Sequence, residues 1–365
     1  MLRIALLIVL VVHGLIHLMG LAKAFEWATL AQLTRTITRP VGLLWGLAAL
    51  LFLVAAFLVF RHSDRWWTFA VPAVLLSQVL VSSQWQDARW GTVANVLILV
   101  AVVAGAAVWD FRRDHRAAID EALDRAYARP EQRVTEHDLQ GLPVPVQRFL
   151  RKAGAVGTER PRSMQLEFKG DIRAEGGPWM PFTTVQVNTF DPPARFFWMD
   201  ATMKGLPTKG LHAYDDGTAS MRIKLLGLFP VVEISGRELD QAETVTWFND
   251  LCLFAPAALV DPRITWTEVD DRSALATFTH KDITIGARLV FDAQDLLVDF
   301  ISDDRYIVAP PKPPEKRTFR TPASDHRRMN GMLLPGYGEA LWELPSGPFT
   351  YGRFTLTALA YDVDR

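Results

Sequence analysis

The sequence predicts two unlike parts: an N-terminal four-helix transmembrane bundle, and a C-terminal α+β domain with a large curved antiparallel sheet or incomplete barrel and a helical plug. Three observations carry this reading. Charge is uneven, with seven Lys/Arg and four Asp/Glu in residues 1–110 against 32 and 36 in the remaining 255. Four long apolar runs lie in the charge-poor part. Near Ser163 the spacing of apolar residues switches from helical to alternating. The parts are a bundle over 1–110, a helical neck over 111–160 and a β-rich domain over 161–365.

The four runs are Ile4–Ala22, Val41–Phe60, Trp67–Gln84 and Thr92–Trp109. A bilayer core of about 30 Å takes roughly 20 helical residues, so each run can span or nearly span it. Buried soluble helices would need covering layers that this half lacks. Arg61, His62, Asp64 and Arg65 separate the second and third runs, and Asp87 and Arg89 the third and fourth. Trp66, Trp67, Trp85, Trp90 and Trp109 sit at run ends, where an amphipathic ring favours the headgroup zone. Arg3, the first apolar run and Ala22-Lys23-Ala24 have the outline of a signal peptide, but the run outlasts the usual apolar region and reads as a span. Four spans place both ends on one side, with Arg3, Arg61, Arg65, Arg112, Arg113 and Arg116 there and Lys23, Arg35, Arg39 and Arg89 opposite. This bias places the C-terminal domain on the cytoplasmic side of a bacterial cytoplasmic membrane.

Polar side chains within the spans are the first site candidates: His13, His17, Gln78 and Asn95. His13 and His17, four apart, share one helix face and can hold a metal or haem, or relay protons. The favoured alternative is structural, with both imidazoles hydrogen-bonded to Gln78, Asn95 or backbone carbonyls of neighbouring helices.

In the neck, Ile119, Ala122, Leu123, Ala126 and Tyr127 follow helical spacing, which Pro130 ends. Val146, Phe149, Leu150 and Ala153 suggest a second helix, opened by Pro143 and Pro145 and closed by Gly154. Strict alternation follows at 163–172, 219–225, 283–291 and 354–360, with weaker strands near 182–190, 195–204, 263–269, 274–280, 295–301 and 316–320. One wet and one buried face per strand means an antiparallel sheet, and about ten strands must curl. Residues 237–260 are apolar and helical, and they fill the concave face.

These residues resemble a family. The stretches 13–20, 85–92, 142–150, 179–182 and 224–232 (His-Gly-Leu-Ile-His-Leu-Met-Gly, Trp-Gln-Asp-Ala-Arg-Trp-Gly-Thr, Leu-Pro-Val-Pro-Val-Gln-Arg-Phe-Leu, Trp-Met-Pro-Phe and Lys-Leu-Leu-Gly-Leu-Phe-Pro-Val-Val) are similar to a bacterial family of unknown function with four spans before a β-rich domain. The β domain also resembles the lipoprotein-carrier fold in architecture, which implies an incomplete barrel, a helical lid and an apolar cavity for acyl chains.

Near-neutral net charge gives no reason to expect nucleic acid. The lone Cys252 excludes an internal disulfide and a thiolate-rich zinc site, and its apolar surroundings argue against a nucleophile. No nucleophile elbow, phosphate-binding glycine loop or His-Glu-x-x-His is present, so no catalytic residue is nominated, the reading leans away from an enzyme, and no cofactor is expected. Asp299, Asp303, Asp304 and Arg305 read as a solvated turn, and His326-Arg327-Arg328 as an exposed strand end or a lipid-headgroup contact. Aromatic residues are more informative. Phe197, Met199 and Met203 share one face of a strand, while Phe196 and Trp198 share the other, so a helix, the bundle or a bound molecule must cover the second face. The residues nominated to line a ligand site are Phe197, Trp198, Met199, Met203, Tyr214, Met221 and Phe248. Leu225–Val232 is too apolar for an open loop and is expected to border a cavity mouth or dip into the membrane interface.

The preferred expectation is a membrane-tethered module that binds a lipid-like or other apolar ligand, such as an acyl chain. The alternatives are a redox or proton-handling bundle that uses His13 and His17 with a regulatory β domain, and a scaffold or sensor for another membrane protein.

Overall fold

The computed structural model describes residues 2–30 and 32–363. The chain divides into two compact units, 1–114 and 115–365.

The first unit is helical: α1 (Leu2–Ala24), α2 (Arg39–Phe60), α3 (Trp67–Ser83), α4 (Trp85–Ala88) and the start of α5 (Gly91–Tyr127). Among the described residues, three helices, α1, α2 and α5, are long and apolar enough to cross a membrane, rather than the four expected. The third run yields only 17 residues of helix, roughly 26 Å at 1.5 Å per residue, because α3 stops at Ser83 and Gln84 caps it. The fourth run and the first neck helix are one 37-residue helix, since no proline or glycine follows Gly105 to break it. Small residues carry the helix packing. A Cβ at Gly20 would lie 2.3 Å from the Trp45 ring, and one at Gly42 would lie 2.2 Å from Ala24 Cβ. Ala48, Ala55, Ala70 and Ala73 are buried, whereas Leu44, Leu47, Leu50 and Phe57 turn outward. Small residues between helices and large apolar ones outside are what a lipid solvent requires.

The second unit contains the rest of α5, α6 (Val144–Ala153), a 13-stranded antiparallel sheet and α7 (Arg237–Phe254). α6 buries Val146, Phe149, Leu150 and Ala153, and Gly154 takes the left-handed conformation that ends it. Six strands run as successive hairpins: β1 (Ser163–Ile172), β2 (Met180–Phe190), β3 (Pro193–Met203), β4 (Leu206–Asp215), β5 (Thr218–Leu225) and β6 (Phe229–Ser235). After α7 come β7 (Ile264–Asp270), β8 (Ser273–His280), β9 (Ile283–Phe291) and β10 (Leu297–Ser302). A small separate hairpin, β11 (Tyr306–Ile307) and β12 (Glu315–Lys316), precedes β13 (Phe319–Met329), β14 (Met332–Leu344) and β15 (Gly347–Tyr361). The order is β6-β5-β4-β3-β2-β1-β15-β14-β13-β10-β9-β8-β7, so β1 against β15 joins the two halves and β6 and β7 are free edges. Met164 pairs with Tyr361 and Phe168 with Leu356, across a bulge after Glu167.

The sheet is curved but not closed into a barrel. α7 touches both β6 and β9, ten strand spacings apart. Laid flat, those strands would be about 48 Å apart, beyond the reach of a helix about 27 Å long. The turns confirm the curl: Asp216, between β4 and β5, meets His280 Nε2 at 2.8 Å and Lys281 Nζ at 2.8 Å, between β8 and β9. α7 is thus the expected plug, with Trp247 and Phe248 packed on Phe278. Within the 13-stranded sheet, three strands are additions to the expected set. β4 continues the β3 hairpin, β6 is formed by the apolar stretch after Leu228, and β14 contains Pro335, Gly336 and Gly338, which read locally as a loop.

Gly20→Val is expected to cost the helical unit about 1–3 kcal/mol through overpacking against Trp45. Thermal melting of the detergent-solubilised chain should show the loss, and Leu47→Val on the outward face should leave the transition in place.

Candidate functional site

A cavity of about 340 Å³ lies in the second unit between α7 and the concave face of the sheet. Phe168, Ile172, Phe197, Met199, Met221 and Ile223 line it from β1, β3 and β5. Leu253 and Phe254 line it from α7, and Ile307, Phe319, Trp342, Tyr351 and Phe354 from the other half of the sheet and the β11 hairpin. Strand alternation accounts for this: odd positions of β3 (Phe197, Met199) face inward, and even positions (Phe196, Trp198) face outward. The outward face is covered by α5, where Ala118, Ile119 and Ala122 meet Ala194 and Phe196, and the His115 ring lies 5.3 Å from Trp198.

The nominated ligand residues therefore separate. Phe197, Met199 and Met221 line the cavity. Trp198 lies on the opposite face, its Nε1 donating to Asp200 at 3.2 Å. Met203 sits half-buried at the β3–β4 turn, opposite Leu206. Tyr214 is fully buried and hydrogen-bonded to Thr244 at 3.2 Å, and Phe248 is fully buried in the core. In the Leu225–Val232 stretch, Phe229 and Val231 are exposed on β6 and are not among the lining residues.

The cavity also holds polar groups that alternation alone does not reveal. Arg195 on β3 projects inward at 8% side-chain exposure, Nε to Asp250 at 2.7 Å and Nη1 to Glu243 at 3.2 Å, both on α7. Gln186 donates to Asp250 at 2.7 Å and accepts from Arg195 at 3.1 Å. His212 Nδ1 is 3.5 Å from Glu243. Burial by itself raises the Glu243 pKa, but the His212 contact and the charges of Arg195, His212 and Arg305 outweigh it and lower the pKa from 4.5 to about 2. A sequence signal existed: Glu243 and Asp250 lie two turns apart on one face of the helix expected to fill the sheet, and buried carboxylates require a cation.

Other candidates resolve as structure. Burial pushes the Cys252 thiol well above its ordinary value, as for a core residue. His326 meets Leu297 O at 2.9 Å, and Arg327 the carbonyl of Leu356. Asp299 pairs with Arg320, and Asp304 with Lys316 at 3.0 Å, whereas Arg305 points into the cavity. A second recess, about 420 Å³, contains Arg129, Arg160, Arg162 and Arg263, each paired with an acid.

In the helical unit, His13 Nε2 lies 2.9 Å from Asn95 Oδ1 and 3.2 Å from Ser77 Oγ. His17 bridges His13 O (2.8 Å) and Ser77 Oγ (2.9 Å). Asn95 donates to Gln78 at 3.0 Å, and Gln78 donates to Thr92 at 3.2 Å. The four nominated polar residues thus form one chain that ties α1, α3 and α5 together. Among the described residues, no group of three His, Cys, Asp or Glu is placed to hold a metal.

Comparison with known proteins assigns a family. A model described as a family of unknown function, DUF6544, matches residues 132–354, more than half of the chain, and the chain belongs to that family. No curated protein matches it. Among solved structures, the chain is similar to a LolA-superfamily protein from Nitrosomonas europaea, at 11% identity and a TM-score of 0.34, covering 59% of this chain and 92% of that one. It is also similar to a β-barrel-like protein of domain of unknown function DUF1849 from Brucella abortus, at 10% identity and a TM-score of 0.20, covering 55% and 98%.

Replacing Arg195 with Met leaves two carboxylates buried without their cation and is expected to cost about 3–5 kcal/mol. The depressed Glu243 pKa stabilises the fold above 4.5, and that contribution is lost as pH falls toward 2. Urea titrations across this range should show stability falling with pH, and Glu243→Gln should flatten the fall.

Proposed function

We propose that this member of the DUF6544 family is a membrane-anchored module whose β domain holds a lipid-like or other apolar ligand between α7 and the sheet. The observation that carries the reading is the cavity itself. Its walls are mostly aromatic and aliphatic, and about 340 Å³ stays unfilled by the protein's own side chains. Apolar space of this size loses dispersion contacts when empty and is regained by an apolar guest. It falls within the range of about 300–1,000 Å³ typical of small-molecule sites. The long apolar helices would hold the domain beside a reservoir of such guests.

The hydrogen-bonded His13 and His17 serve in this reading to lock the bundle.

The test uses the full chain in zwitterionic nanodiscs and a hexadecane analogue bearing a photoreactive diazirine. Peptide mapping should find label around Phe168–Ile172 and Phe254. Met221→Trp fills part of the cavity and should reduce that label about tenfold, the equivalent of 1.4 kcal/mol. Label confined to the helices, with none in the β domain, overturns the reading.

A further inference from the structure

The polar groups of the cavity form two sets with different degrees of closure. Arg195, Glu243, Asp250, Gln186 and Asn188 satisfy one another. Arg305 belongs to a set that does not close. Its Nε donates to Thr246 Oγ1 at 3.1 Å and its Nη1 to the Tyr351 hydroxyl at 2.8 Å. The guanidinium lies over the rings of Phe319 and Trp342, 4.3 and 4.9 Å from their centroids. Its position is thereby fixed, yet Nη2 makes no hydrogen bond and no carboxylate pairs with it among the described residues. Glu243 senses its charge but is already held by Arg195 and His212.

Two buried oxygens in the lining of the same cavity also lack partners: Asn249 Oδ1 and Thr321 Oγ1. Asn249 is three residues along α7 from Thr246, on the same helix face. Thr321 is two residues along β13 from Phe319, on the same sheet face. Both line the cavity, and each is less than a tenth exposed. An unpaired buried polar group costs about 1–3 kcal/mol, so two of them in a cavity that also holds an open guanidinium point to a polar partner there. A hydroxyl can donate or accept, and a carboxamide presents its nitrogen after a half-turn.

We propose that Arg305, with Thr321 and Asn249, receives the anionic head of a single-chain amphiphile, a long-chain carboxylate whose alkyl chain lies among Phe168, Met199 and Phe254. The proposal rests on the apolar-ligand reading above and specifies its guest. Guanidinium matches a carboxylate with two parallel hydrogen bonds. Charge favours a monoanion over a dianion: the cavity already buries the carboxylates of Glu243 and Asp250, so each further negative charge brought in adds repulsion and desolvation cost. Volume favours one chain, since about 340 Å³ lies at the small end of ligand pockets and offers no room for the paired chains of a diacyl lipid.

The experiment compares three diazirine-bearing C16 probes on the full chain in zwitterionic nanodiscs: the carboxylate, its methyl ester and the alkyl phosphate. The carboxylate should label the β-domain peptides about tenfold more than the ester, and Arg305→Met should bring the carboxylate-to-ester ratio to about one. Arg305→Lys, which keeps the charge but not the fork, should retain part of it. Should Arg305→Met fail to fold, Thr321→Val serves as the second variant and should narrow the same ratio. Equal labelling by acid and ester in the unaltered chain overturns the head-group proposal while leaving the apolar site standing. Preference for the phosphate overturns the choice of carboxylate. Absence of β-domain label from all three probes overturns the apolar-ligand reading itself.

Discussion

The architecture of the second unit depends on how two carboxylates on one helix are neutralised. Glu243 and Asp250 are buried on α7 and would each cost several kcal/mol as isolated ions. Arg195 reaches both from β3, and Gln186 on β2 braces the pair. The ion cluster thus fixes where along the sheet, and at which rotation, α7 can seat. Apolar contacts alone would permit several positions, because Trp247, Phe248 and Leu251 can slide over a greasy wall at little cost. The cavity is the space left once that seating is set.

Curvature follows from the same placement. A 13-stranded antiparallel sheet twists and coils, and α7 gives it something to coil around. Asp216 meeting His280 and Lys281 closes one corner where strands from opposite halves of the sheet approach. β6 and β7 are nevertheless left as edges, so the enclosure depends on α7 and the small β11–β12 hairpin rather than on a continuous ring of hydrogen bonds. An enclosure of this kind can admit a guest without breaking a sheet ladder.

The helical unit is packed on a different principle. Its stability comes from close approach at Gly20 and Gly42, from buried alanines and from one hydrogen-bonded chain through His13, His17, Ser77, Asn95, Gln78 and Thr92. In an apolar medium such polar links contribute modestly each, but they specify which helix faces meet.

Local periodicity made the major elements legible. The apolar runs, the alternation in β1, β5 and β9, the helix over 237–254 and the capping of α6 are short-range properties, and they stand in the structure nearly where the residues place them. Lengths and pairings were less legible: α3 ends one residue short of its apolar run and below the length of a candidate span, and β14 hides behind Pro335, Gly336 and Gly338 because its neighbours β13 and β15 supply the order its own sequence lacks. Among the site residues, Phe197, Met199 and Met221 could be placed by alternation, but Trp198 shares the same apolar character and differs only in which face α5 covers. Arg195 and Arg305 were illegible as site residues. A charged side chain reads as solvent-facing until its partners are known, and Glu243, Asp250, Thr246 and Tyr351 lie 46 residues or more away in the chain. The sequence by itself therefore determined the division into an apolar helical part and a β-rich part, the element types and the greasy inventory, since these depend on composition and spacing alone. Only the tertiary structure decided which greasy face stayed uncovered and which cation lined it, because both are set by contacts between distant strands around one helix.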